Sequence, residues 1–485
     1  MSAKRTIGYL LPSVLAACSF APLEPPRTPA ASQYTSAPLT ETAAAPGVPG
    51  GGAQRFVSGE DIPAQWWGLF RSPALDALVR DALDNSPTLA QASARLRQAH
   101  EDLSARSGAT RWPRVDGKVS AYRADANSDP LGAPALANVL PLNLYLASVS
   151  VSYTFDFFGG TRHELDALRA ETEYRQHELH AARLALAANV VTAAIREAAL
   201  RQQVATTQEM IDLQLRQVAI AERLEEIGGA ARADVVAQRR ELAATRASLP
   251  DLQKALEQVR HRLAVYTGRP PSSPPPELHL SELQLPAQMP LSLPSELARQ
   301  RPDVREAEAL LRQAGARVGI ATANFYPQLT LSAQAGSIAG NGADLLSGHG
   351  GFYLLGASLM QPIFHGGELQ AKRRSAVAAY EQAAAAYQQA VLLGFQNVAD
   401  ALRALEADAI KLRERSIAAR EARSAYEIAS GRYAAGGVSL FNLLEAERRL
   451  RAAELDLVQA TADRYADSAA LLQALGGGWW NETAR

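Results

Sequence analysis

Residues 366–437 read GGELQAKRRSAVAAYEQAAAAYQQAVLLGFQNVADALRALEADAIKLRERSIAAREARSAYEIASGRYAAGG. No proline follows Pro362, and between the pairs Gly366-Gly367 and Gly436-Gly437 the composition is dominated by Ala, Leu, Glu, Gln and Arg, which favours uninterrupted helix. The stretch predicts one helix of roughly 65 to 70 residues, a rod of about 100 Å, and a return helix of roughly 40 residues beyond the second glycine pair. Val377, Tyr380, Ala384, Tyr387, Val391, Phe395, Val398, Leu402, Leu405, Ala409 and Leu412 recur by threes and fours, giving the narrow apolar seam that supercoiled helices bury against each other. A lone hairpin of that length has no core in which to hide such a seam. It needs neighbours as long as itself.

The chain supplies some of them. Gly228-Gly229 precedes AARADVVAQRREL at 230–242, and Gly436-Gly437 precedes VSLFNLLEAERRL at 438–450, an offset of 208 residues that also carries Gly268 onto Gly476. This reads as an internal duplication with one long helical hairpin per half. The first repeat spans 61–269 and the second 295–476, joined by a proline-rich connector at 270–294 and followed by a tail at 477–485. Pro250 is expected to bend the return helix of the first half.

Ahead of each long helix the apolar period changes from helical to twofold. Val149, Val151, Tyr153, Phe155 and Phe157 alternate with Ser148, Ser150, Ser152, Thr154 and Asp156, preceded by a weaker alternation around Val115, Val119 and Ala121. In the second half Leu329, Leu331, Ala333 and Ala335 alternate with Thr330, Ser332, Gln334 and Gly336, and residues 353–360 follow suit. Each half therefore offers two strands of roughly ten residues, long enough to cross a bilayer when tilted. Both pairs run into helix through glycine, at Gly159-Gly160 and Gly366-Gly367, where a sharp turn costs little. Asp156 either faces a lumen or caps the helix that follows.

The N-terminus, with Lys4 and Arg5 ahead of an apolar run and small residues ahead of Cys18, has the layout of a secretory leader at 1–17. Leu15-Ala16-Ala17-Cys18 resembles a bacterial lipobox, which implies a diacylglycerol and an N-acyl chain on Cys18. Ser19 after it fits outer-membrane delivery. The competing reading is a buried free thiol. Residues 18–60, rich in Pro, Ala, Ser and Thr, read as an acylated tether. No later run is apolar enough for a membrane helix, and lipid chains anchor a protein without making it cross, so any crossing falls to the strands.

Four strands do not close a barrel around a lumen, and open edges in lipid leave backbone groups unpaired at several kcal/mol each. Shared closure resolves this. Two chains would make a plugged eight-stranded barrel and three a twelve-stranded one with a water-filled passage, which the Ser, Thr and Asp face suits. The expected fold is an α+β, mainly α, membrane protein: a trimeric twelve-stranded β-barrel continued by a long α-helical barrel.

The balance of 49 basic and 50 acidic residues in a chain of 485, a net charge of −1, gives nucleic acid no basic footprint. His163, His177 and His180 lack a completing carboxylate or cysteine cluster, so no metal site is expected. No phosphate-loop ending or catalytic triad motif appears, and an enzyme is not expected.

Trp66-Trp67 with Phe70, Arg301-Pro302-Asp303-Val304, Asn324-Phe325-Tyr326-Pro327, Gln361-Pro362-Ile363-Phe364, Arg432-Tyr433-Ala434-Ala435-Gly436 and Leu475-Gly476-Gly477-Gly478-Trp479, in this order and spacing, resemble bacterial outer membrane factors. These are the TolC-like exit ducts of tripartite efflux pumps, and the lipobox resembles the lipoprotein branch typified by OprM. The resemblance covers the chain from about Asp61. It implies a homotrimer in the outer membrane of a Gram-negative bacterium, reaching into the periplasm, with no cofactor. It also implies a periplasmic adaptor and a proton-driven inner-membrane exporter as partners. The family narrows at the periplasmic tip after the second hairpin turn. Carried over, the apolar ring falls on Phe441, the acidic ring on Glu445, its basic partner on Arg448, and the aromatic and basic positions before the turn on Tyr433 and Arg432. Phenylalanine and glutamate stand here where an aliphatic residue and aspartate are familiar. Without the resemblance, Glu445 and Arg448 read as an ordinary exposed ion pair. Asp234 and Arg239 or Arg240 occupy the matching place in the first hairpin. The competing functions are the exit duct of a protein secretion system and a lipid-anchored coiled-coil spacer. The spacer leaves the four alternating strands unexplained.

Overall fold

The computed structural model describes residues 29, 31–124, 142–347 and 349–481. Cys18, the leader and most of the loop expected at 124–143 lie outside the described residues. In chain order the regular elements are β1 (Arg55–Ser58), α1 (Pro73–Asn85), α2 (Pro87–Arg111), β2 (Arg114–Ala124), β3 (Leu142–Phe155), α3 (Gly160–Glu226), α4 (Arg232–Tyr266), β4 (Gln288–Leu291), α5 (Pro294–Gln300), α6 (Pro302–Ala323), β5 (Gln328–Ala339), β6 (Gly351–Met360), α7 (Glu368–Ala434) and α8 (Leu440–Ala474). The duplication is visible in the lengths: α3 and α7 each have 67 residues, α4 and α8 each 35. No described helix is long and apolar enough to cross a membrane.

One unit gathers 105–168 and 311–388 around an antiparallel sheet of order β2-β3-β5-β6. The register sorts its two faces as the alternation requires. Ser148, Ser150, Ser152 and Thr154 lie opposite Gly336, Gln334, Ser332 and Thr330, and the hydroxyls of Thr154 and Thr330 meet at 3.0 Å. On the other face Val151 and Val149 lie beside Ala333 and Ala335, with Val119 and Tyr353 about four-fifths exposed. Apolar side chains so open to solvent on outer strands are the inverse of a soluble sheet, whose apolar face is the covered one. Both outer strands, β2 and β6, keep a free edge within the described chain. At the junction to α3, Gly159 takes φ +77°, and Asp156 Oδ2 accepts the Arg162 amide at 2.8 Å, so Asp156 caps the helix. Phe157, expected on the strand, lies beyond its end and stacks on Phe155. Phe158 stacks on Tyr326 with centroids 4.7 Å apart, and a Cβ on Gly319 would lie 2.5 Å from the His163 ring. The β6–α7 junction turns through Gly366 and Gly367, both at positive φ.

The second unit comprises 29–104, 169–310 and 389–481 in its described part. Its main core joins Trp66 and Phe70 of a short 3-10 turn to Leu75 and Val79 of α1, Val190 and Ile195 of α3, Leu263 of α4, Leu402 and Leu405 of α7, and Tyr465 and Leu472 of α8. The α7 seam is buried at Val391, Val398, Leu402, Leu405, Ala409 and Leu412, whereas Val377, Tyr380, Ala384, Tyr387 and Phe395 are half-buried. Helices α5 and α6 part at Arg301-Pro302. Arg301 is extended (φ −71°, ψ 126°) because Pro302 disfavours helical backbone in the residue before it. The α4 helix continues through Pro250.

The stretch expected as a tether does more than connect. Its described part packs as a strap against α7 and α8, where Ala45 is fully buried beside Leu412 and Ala460. Its end forms β1, which pairs in parallel with β4 from the connector, Phe56 opposite Met289.

Candidate closure at the hairpin tips

Both hairpins of the second unit turn on the same chemistry. The Gly436 amide donates to the Tyr433 carbonyl at 2.9 Å and the Gly437 amide to Arg432 at 2.8 Å. Gly228 and Gly229 bond Glu225 and Leu224 in the same way, at 3.0 and 2.7 Å. Gly436 and Gly228 sit at φ +72° and +78°, where a side chain would be strained. Each return helix is then capped locally: Ser439 Oγ accepts the Asn442 amide, and Asp234 Oδ2 accepts the Ala231 amide.

One turn into α8 a charged tie crosses from hairpin to hairpin. Arg448 donates Nε and Nη2 to the two oxygens of Glu445 at 2.9 and 3.0 Å, and its Nη1 lies 3.6 Å from Glu241 of α4. Arg449 adds a bond to Glu445 at 2.9 Å. The Glu445 and Arg448 side chains are each 27% exposed, too covered for an ordinary surface pair. The hydrogen bond from Arg448, with further help from Arg449, holds the Glu445 carboxyl below its usual range, and the same bond raises Arg448. Farther along, Arg451 lies 3.3 Å from Glu209 of α3.

The sequence reading placed Glu445 and Arg448 together, and the structure does the same. It does not join the other carried-over positions to them: Arg432 and Tyr433 are exposed before the turn, and Phe441 is half-buried on the first turn of α8. In the first hairpin Asp234 serves as a helix cap, while Arg239 reaches Glu222 of α3 at 2.7 Å. Glu241 and Arg449 were missed. The offset of 208 residues, which superposes them, was the available signal. Elsewhere, His177 and His180 ring Trp479, the latter stacked at 4.4 Å.

This tie is electrostatic rather than catalytic. It brings acid and base together in balanced pairs, with no nucleophile beside a base, and the force it applies holds one hairpin against the other.

The chain matches the family model for outer membrane efflux proteins over residues 78–269 and 293–477. It is 32% identical over 425 residues to the pyoverdine export outer membrane protein OpmQ of Pseudomonas aeruginosa, covering 86% of this chain and 88% of that one. Among solved structures it resembles the outer-membrane channel OprN (TM-score 0.77, 28% identity, 93% of this chain and 99% of that one). It also resembles the open state of the MtrE outer membrane channel of Neisseria gonorrhoeae (TM-score 0.79, 25% identity, 96% and 100%).

Proposed function

This chain belongs to the outer membrane efflux protein family, and on that premise we propose that it works as a homotrimer, a passive exit channel of a tripartite pump closed at its helical tips. It is an outer-membrane efflux protein and not an enzyme. The observation that carries the rest of the proposal is the four-stranded sheet, whose middle strands set Ser148, Ser150, Ser152 and Thr154 on one face and Val149 and Val151 on the other, with both outer edges free within the described chain. Three copies supply twelve strands, enough to close those edges around water, and twelve helical segments from α3, α4, α7 and α8 to line a tube. The acyl chains on Cys18 anchor each copy. A periplasmic adaptor engages the helical tips, and a proton-driven exporter in the inner membrane supplies the energy. A relative that exports pyoverdine favours small molecules over folded polypeptides as cargo.

Closure falls to Glu445, Arg448 and Glu241, with Phe441 as the apolar partner and Tyr433 and Arg432 at the turn. The test is conductance in a planar bilayer. Phe441→Ala combined with Glu445→Ala is expected to raise the resting conductance well above that of the native protein, and unchanged conductance would remove these residues from the closure.

A further inference from the structure

Toward its tip, α3 buries polar groups that the described chain leaves unsatisfied. Its seam there runs Thr207, Met210, Gln214, Gln217, Ala221 and Leu224, spaced by threes and fours. Gln214 and Gln217 are each 1% exposed, and neither end of either side-chain amide has a hydrogen-bond partner among the described residues. Their own chain covers them, so further copies do not reach them. Two such amides at successive seam positions leave both carbonyl oxygens and both nitrogens bare, a cost that water removes on exposure.

Two crossings locate the layer. Gln203 Nε2 of α3 donates to Gln459 of α8 at 2.8 Å, and Arg451 of α8 lies 3.3 Å from Glu209 of α3. Counted on antiparallel from those contacts, Gln214 and Gln217 fall level with residues 443–448 of α8, where Glu445 and Arg448 form the tie. On the far side of the layer Glu222 accepts from Arg239 of α4 at 2.7 Å. Charge therefore holds α3 above and below, and the bare amides lie between. The second half lacks this feature. The offset of 208 residues carries Gln214 and Gln217 onto Ala422 and Ala425 of α7, one half-buried and one exposed, so a long hairpin of this kind does not require a buried polar layer.

We propose that Gln214 and Gln217 form a yielding layer in α3, the place where its seam parts first when the tips open. The proposal rests on the closure reading for its purpose: the tie keeps the hairpins together at the level where α3 is packed least favourably. While the seam is shut, the amides have lost water and gained nothing in exchange. Once it parts, water reaches both ends of each amide, so opening recovers hydrogen bonds here. Apolar side chains at the same two positions would oppose parting, because separation would expose them. The layer thus lowers the barrier to opening, and the charged tie, which an adaptor can displace, is left to set the resting state.

The test is hydrogen–deuterium exchange on the full chain in detergent, comparing peptides over 206–222 with peptides over 186–200 of the same helix. The variant is Gln214→Met combined with Gln217→Met, which keeps unbranched side chains of similar length and removes the amides. In the native protein 206–222 is expected to exchange about tenfold faster than 186–200, and in the variant that difference is expected to vanish, since an orphaned polar group replaced by an apolar one of like shape ceases to weaken its site. A difference as large in the variant as in the native protein would overturn the layer, and so would faster exchange in the variant, which would mean that the amides hold the seam together. Gln214→Leu with Gln217→Leu is expected to act in the same direction and serves if the first variant fails to fold. Exchange is read whether or not the channel conducts, whereas the closure reading fails on unchanged conductance of the Phe441 and Glu445 variant, so the two failures are distinguishable.

Discussion

Replacing Glu445 by glutamine keeps the shape of the side chain and removes its charge, which makes it the cleanest perturbation of the tip. An exposed pair three residues apart on a helix contributes a few tenths of a kcal/mol. Here the pair is bidentate, 27% exposed on each side, shared with Arg449 and tied through Arg448 to Glu241, so about 1 kcal/mol per copy is a reasonable scale. In the proposed trimer three copies around one passage give about 3 kcal/mol, a shift of roughly 150-fold in the ratio of open to closed channels. Single-channel recording in a planar bilayer reads that ratio directly. A native channel open ~0.1% of the time would be open more than a tenth of the time as Glu445→Gln. An open probability within threefold of native would refute the reasoning. The pH dependence has a definite sign. Arg448 depresses the Glu445 pKa, so the tie is complete above the ordinary carboxylate range and is lost only as pH falls through the depressed value. Native channels are therefore expected to conduct alike at pH 7 and pH 5, and to open more readily only in stronger acid.

Gly436→Ala places a methyl in open space, so its cost is that of a left-handed backbone alone, about 1–2 kcal/mol, read as faster deuterium exchange over 430–445. Unchanged exchange would contradict the turn geometry. Arg301 donates to the Ala474 carbonyl at 2.6 Å and clasps Asp303 at 2.7 and 3.0 Å while 8% exposed. Arg301→Lys offers one ammonium where two directions are needed, and it is expected to cost about 2 kcal/mol, seen as a lower thermal midpoint. Glu306 is pushed up to about 7, by burial first and then by Asp303 and Glu178. Its contribution is present below the ordinary carboxylate value and lost as pH rises through 7, up to about 3 kcal/mol. Glu306→Gln should flatten the fall in stability between pH 5 and 8, and an equal fall in both proteins would dismiss the group.

What could be read without coordinates was what local physics writes into neighbouring residues. Helix length followed from the spacing of glycine pairs, and the faces of β3 and β5 followed from strict alternation, since neither depends on a distant partner. The failures share the opposite property. β1 and β4 are four residues each, contain Pro290, and pair across more than two hundred residues, so no periodicity announces them. The strap is composed of the small and polar residues that also make linkers, and it becomes a packed element through distant partners such as Arg464, lying 412 positions beyond Gly52, and Leu412 and Ala460 around Ala45. The break between α5 and α6 is legible in the Arg301-Pro302 step, because the residue before a proline avoids helical backbone. The contact of Arg448 with Glu241 joins two hairpins, and a sequence shows only the members of one helix at a time.

A shared barrel requires that the free edges of one small sheet be closed by further copies of the same chain. The most direct measurement is therefore the mass of the purified full chain in a membrane mimetic, by native mass spectrometry. Three chains per particle are expected. A particle of one or two chains that still conducts ions would contradict the shared barrel.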